Sequence, residues 1–158
     1  MKKIQCLMLL LALMTACGKE PLMNTLAEPS PDQVLASSEA GLSLDLEKTR
    51  YNKSPALIRM ELENDSKQDF GYGEYVYIEL KQQDDWHLLT HSDAVFINNP
   101  DFNDFGYILQ AGTKTEMEFS IEGLGIELAP GEYRIVKTFL SQDGPYFEIS
   151  LASPFRVE

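Results

Sequence analysis

Cysteine is nearly absent. The 158-residue chain has two, Cys6 and Cys17, and none after Cys17. That leaves the rest of the chain without a disulfide, a cysteine-ligated metal or a thiol nucleophile. Histidine is as scarce, with His87 and His91 alone. Positive charge is short too: 13 basic residues face 25 acidic ones, for a net charge of −12. A chain this acidic gains nothing from nucleic acid and is repelled by anionic lipid. Long apolar runs are missing. The one sustained stretch, Ile4 to Leu13, is interrupted at Gln5. As a helix it would cover only ~15 Å of a hydrocarbon core ~30 Å thick, so it does not span. No GxGxxG, Walker, GxSxG or SxxK pattern occurs, so neither a phosphate cradle nor a nucleophilic hydrolase is visible.

What is present at the start is an export signal. Met1-Lys2-Lys3 is basic, the apolar stretch follows, and Leu13-Met14-Thr15-Ala16-Cys17 ends on small residues before Lys19-Glu20-Pro21. The last five residues resemble the lipobox of bacterial lipoproteins, although Met14 replaces the commoner aliphatic or small residue. The resemblance implies cleavage before Cys17, with diacylglycerol on its sulfur and acyl chains such as palmitate holding the protein on the membrane. Two or three chains give lasting attachment where one is marginal. The alternative is an ordinary secretory signal with a coincidental cysteine. The lipoprotein reading places the protein on the extracytoplasmic face of the cell membrane, and Gly18 leaves a Gram-negative outer membrane open.

Residues 17–41 hold Pro21, Pro29, Pro31, Ser30, Ser37 and Ser38 and little apolar pattern, which reads as a lipidated cysteine followed by a flexible tether. Such a tether would have a span of about 25–30 Å. Residues 42–158 form one domain of ordinary size.

Strand periodicity dominates that domain. Thr113, Thr115, Met117, Phe119 and Ile121 alternate with polar residues, as do Ala56, Ile58, Met60 and Leu62. Tyr75 to Lys81 predicts a strand with Val76, Ile78 and Leu80 inward, paired with Trp86 to Leu89 across a turn at 82–85. Glu132 to Leu140 and Tyr146 to Leu151 predict a second pair. Leu42 to Lys48 opens the sheet and Phe155 to Val157 closes it, with Ser153-Pro154 expected to break or bulge the last strand. Seven to eight short strands give an all-β antiparallel sandwich or barrel. Tyr133, just after Pro130-Gly131, matches the layout of a tyrosine corner and favours an immunoglobulin-like sandwich.

The segments Gly71-Tyr72-Gly73-Glu74-Tyr75-Val76-Tyr77-Ile78-Glu79, Trp86, Asn103-Asp104-Phe105-Gly106-Tyr107, and Pro130-Gly131-Glu132-Tyr133-Arg134-Ile135-Val136-Lys137 occur in that order. Together they resemble the bacterial immunoglobulin-like domain family found in lipoproteins and exported proteins of Firmicutes. The resemblance runs from about Leu44 to the C-terminus. It implies a fold and an extracytoplasmic location, and no defined activity.

Candidate sites are few. If Val76, Ile78 and Leu80 face inward, Tyr75, Tyr77 and Glu79 form an outward stripe. With Tyr72 and Trp86 it makes a possible contact surface for a protein or a glycan. The competing expectation is that this face is covered by the loop at 90–104. Asp93, Asp101 and Asp104, beside Asp84 and Asp85, could supply oxygen ligands to calcium, but the spacing matches no EF-hand and an acidic solvated loop fits as well. His87 and His91 lack the partners of a zinc site. No cofactor is expected. The reading is therefore a non-catalytic binding or accessory module on the membrane. A small envelope enzyme or calcium-dependent factor using the 84–104 loop, or a structural spacer or sensor accessory, stand as alternatives.

Overall fold

The computed structural model describes residues 23–91 and 106–158. The fold is all-β, an immunoglobulin-like sandwich of two sheets, and a single 3-10 turn at Glu122–Leu124 is the one helical element among the described residues.

The strands in chain order are β1 (Asn24–Thr25), β2 (Ser38–Glu39), β3 (Leu42–Leu46), β4 (Arg50–Tyr51), β5 (Leu57–Asn64), β6 (Phe70–Tyr72), β7 (Tyr77–Gln82), β8 (Asp85–Thr90), β9 (Tyr107–Leu109), β10 (Thr113–Ser120), β11 (Gly131–Ser141) and β12 (Glu148–Val157). The larger sheet runs β1-β8-β7-β11-β12-β4, with β6 and β9 added beside β11, and the smaller runs β10-β5-β3-β2. All pairings are antiparallel except β12 with β4.

Alternation decides which side chains fill the space between the sheets. Leu42 and Leu44 from β3, Ile58, Met60 and Leu62 from β5, and Phe119 from β10 come from one side. Ile78, Leu89, Tyr133, Ile135, Phe139, Ile149, Leu151 and Phe155 meet them from the other. One core of this size explains how the sandwich holds without disulfides.

Turn chemistry sets the registers. Ala40 (φ 53°) and Gly41 (φ 86°) make a two-residue turn between β2 and β3, the form that two left-handed residues favour in hairpins. A Cβ on Gly41 would lie 2.9 Å from the Ser66 nitrogen, so glycine is required there. Asn64, fully buried at the end of β5, locks the following loop. Its amide donates to Gln68 O (2.9 Å) and Leu109 O (3.0 Å), while its oxygen accepts from the Ser66 amide and hydroxyl.

Three expectations need correction. Pro154 neither breaks nor bulges β12, which is continuous and pairs Pro154 with Arg134. On that strand Ala152, Arg156 and Glu158 donate their amides away from β11, to Ala36 O, Thr49 O and Tyr51 O. Pro154 has the same parity, so the amide it lacks would have pointed outward, and no ladder bond is lost.

Second, β7 begins at Tyr77 rather than Tyr75. The carbonyls of Gly73 and Tyr75 turn to the ammonium of Lys137, a side chain only 1 % exposed. Third, from Met23 onward the proline-rich segment lies on the sandwich instead of hanging free. It pairs with the edge of β8, contributes β2, and between them crosses the larger sheet as a strap.

Candidate binding surfaces

The strap is held by groups that composition does not reveal. Leu26 and Ser30 donate their amides to Leu88 O (2.8 Å) and Trp86 O (2.7 Å). The side-chain amide of Gln33 imitates a strand residue, accepting from Trp86 N (2.8 Å) and donating to Trp86 O (3.1 Å). Ala36 O then receives the Ala152 amide at 2.9 Å, on the far side of the sheet.

Beneath the strap lies a buried ion pair. Glu79 and Arg134 sit opposite each other on β7 and β11, at 6 % and 3 % exposure, and Arg134 Nε donates to Glu79 Oε2. The same guanidinium donates to Asp32 O and Gln33 O (3.1 Å) and stacks its centre 4.7 Å from the Trp86 ring. Glu79 is therefore not part of an outward stripe. The strap covers it, whereas the sequence offered only the 90–104 loop as cover. Lys81 Nζ also lies over the Trp86 ring, 5.8 Å from its centre.

What remains open on this face is a groove of about 380 Å³ between the strap and the sheet. Tyr77, Leu88, Val136 and Leu35 supply apolar lining, with Thr138 and Ser150 beside them. Tyr77 is 46 % exposed. Ser30 also lines the groove, and its buried hydroxyl has no hydrogen-bond partner.

The four aromatic residues read from the sequence do not form one surface. Tyr77 and Trp86 belong to the strap-covered face. Tyr75 is half-buried, its ring edge-on to Tyr77 (5.2 Å) and Phe119 (5.9 Å), its hydroxyl 2.8 Å from His91 Nε2. Tyr72 lies at the seam between the sheets, against Tyr107 (5.6 Å) and Phe139 (6.2 Å), with Lys137 Nζ 5.5 Å from its ring. That seam holds a second groove of about 420 Å³, lined by Tyr72, Glu74, Tyr107 and residues 115–120.

Tyr133 is fully buried, stacked on Phe155 at 5.3 Å, and its hydroxyl donates to Ala129 O at 2.6 Å. The bond ties β11 to the crossing from the smaller sheet, the role such a tyrosine plays in immunoglobulin-like folds. Burial pushes the Tyr133 hydroxyl up to about 12, and burial together with Tyr77 does the same for Tyr75. In the unfolded chain both ionise near ~10. Between these values the folded state holds protons that the unfolded state has lost, so stability should fall as pH rises from 10 through 12. Absorbance titration at 295 nm should show two late-ionising tyrosines, and Tyr133→Phe should remove one of them. It should also cost ~1–2 kcal/mol, because Ala129 O loses its donor.

His87 faces Leu26 O (3.1 Å) and His91 faces Tyr75, so the histidines do not converge. Among the described residues no group of three His, Cys, Asp or Glu side chains could hold a metal ion. Asp93, Asp101 and Asp104, like Cys17, lie outside the described residues.

Two β-sheets packed face to face and tied by a corner tyrosine define an immunoglobulin-type sandwich module. The sequence model of the bacterial Ig-like domain family matches residues 38–156, and the chain belongs to that family. No curated protein and no solved structure matches it. Membership describes an accessory module of a generally non-catalytic kind.

Proposed function

We propose that this protein is a lipid-anchored extracytoplasmic lipoprotein whose immunoglobulin-like domain is a non-catalytic binding module for an envelope protein or glycan. The observation that carries the binding reading is the groove beside the strap, where an exposed tyrosine and an apolar lining stand beside the hydroxyls of Thr138 and Ser150. Concave apolar sites with a few placed polar groups are where ligands are bound. The anchoring reading rests on the signal and on Cys17 at its end.

The docked strap changes how the anchor works. Between Cys17 and Met23 the chain can span at most about 20 Å, at ~3.3–3.6 Å per residue. The domain is then held close to the lipid surface.

Growth with labelled palmitate tests the anchor. The wild-type chain should carry label, and Cys17→Ser should carry none and leave the membrane fraction. Undiminished labelling of the serine variant would overturn the lipoprotein reading.

A further inference from the structure

The chain protects nearly all of its sheet edges. The larger sheet ends in the two-residue strands β1 and β4, and the smaller ends at one side in the two-residue β2. Pro154 and the strap interrupt the outer side of β12. Short edges and prolines are the usual defences against unwanted strand pairing. The other side of the smaller sheet is different: β10 is eight residues long and, among the described residues, pairs with β5 alone.

The register says which backbone groups are open. Ile121 donates to Ala56 O, which fixes the odd-numbered residues of β10 as those bonded to β5. The amides and carbonyls of Lys114, Glu116, Glu118 and Ser120 therefore point to the free side. The seam groove runs along that side, with Tyr72, Tyr107 and Glu74 as its opposite wall.

Charge selects the occupant. Glu116 has no ion-pair partner among the described residues, Glu118 is paired with Arg59, and Glu74 accepts from the Tyr107 hydroxyl (2.5 Å). Two copies joined through β10 about Glu116 or Glu118 would set like carboxylates directly opposite, which is destabilising, and Lys114, the one basic side chain of β10, is already paired with Glu61. A strand with basic side chains would instead meet Glu116 and Glu118, while its alternate residues faced Met117, Tyr72 and Tyr107.

We propose that the open edge of β10 is a strand-addition site for an extended, basic segment of a partner protein, with lysine or arginine at alternate positions. Main-chain bonds to residues 114–120 give the affinity and the acidic, aromatic groove gives the selection. The proposal rests on the binding-module reading and names the partner's chemistry at a site separate from the groove beside the strap.

The test uses the mature chain and a fluorescent ten-residue peptide alternating lysine with valine, its glutamate-for-lysine twin, and spermidine. The lysine peptide should bind at least tenfold more tightly than its twin, with slowed hydrogen exchange at the Glu116 and Glu118 amides. Glu116→Pro removes an open-side amide and leaves the β5 ladder intact, as Pro154 does on β12, so binding should fall tenfold or more. Glu116→Lys, which keeps the backbone, should also lower it and guards against misfolding of the proline variant. Val34→Ala, at a strap residue 94 % exposed, should change nothing.

Binding unaffected by Glu116→Pro in a folded chain, or competed equally by spermidine, would reduce the site to diffuse charge attraction and overturn the proposal. Self-association through β10 would overturn the choice of occupant. Loss of the proposal with palmitate labelling intact would leave the lipoprotein reading standing.

Discussion

Glu79→Ala should destabilise the domain by ~3–5 kcal/mol, because it leaves the Arg134 guanidinium buried without its counter-charge. Against a typical total of ~5–15 kcal/mol, that is a large share. Arg134 is 3 % exposed and cannot simply turn to water. Arg134→Met should cost a similar amount for a second reason: Asp32 O and Gln33 O lose their donor as well as Glu79 losing its partner. The double variant Glu79→Leu/Arg134→Met should cost clearly less than the two single changes together, since no lone charge remains. Recovery should stay incomplete, because the strap carbonyls are still unpaired. Urea unfolding followed by the fluorescence of Trp86 reads all three, with Trp86 itself 4.7 Å from Arg134. Strictly additive costs would show that the two side chains do not act as a pair.

A chain beginning at Leu42, where composition alone would start the domain, should be less stable than one beginning at Met23 by at least ~3 kcal/mol. The shorter chain loses the bonds from Leu26 and Ser30 to β8, from Ala152 to Ala36 and from Leu44 to Ser37. It loses the Gln33 amide on both polar groups of the Trp86 backbone. It also opens Glu79 and Arg134 to water, and with them a large part of the outer sheet face. The midpoint in urea should drop, and the emission of Trp86 should shift to the red before unfolding begins. Coincident unfolding curves would mean that the strap contributes no stability.

The sequence by itself determined the strands of the core. In β5 and β10 the apolar residues recur every second position, and a one-residue slip would turn them to water, so period and burial fix each other. It also determined two hairpins, read at 82–85 and 141–145, and the tyrosine at 133, because turn residues are local signals; the strands after them start at Asp85 and only at Glu148.

Only the tertiary structure decided the rest. Glu79 looks like an exposed strand residue until Arg134 and the strap are placed over it. Residues 23–41 look like a tether because they lack apolar periodicity, yet they dock through backbone amides, one glutamine side chain and an arginine's reach for carbonyls. Lys137 is buried because the carbonyls of Gly73 and Tyr75 turn to meet it. Pro154 reads as a strand breaker until the register shows its nitrogen facing a side with no bond to lose. In each case the deciding partner lies far away in the chain, and hydrogen bonds of that kind leave no period in a sequence.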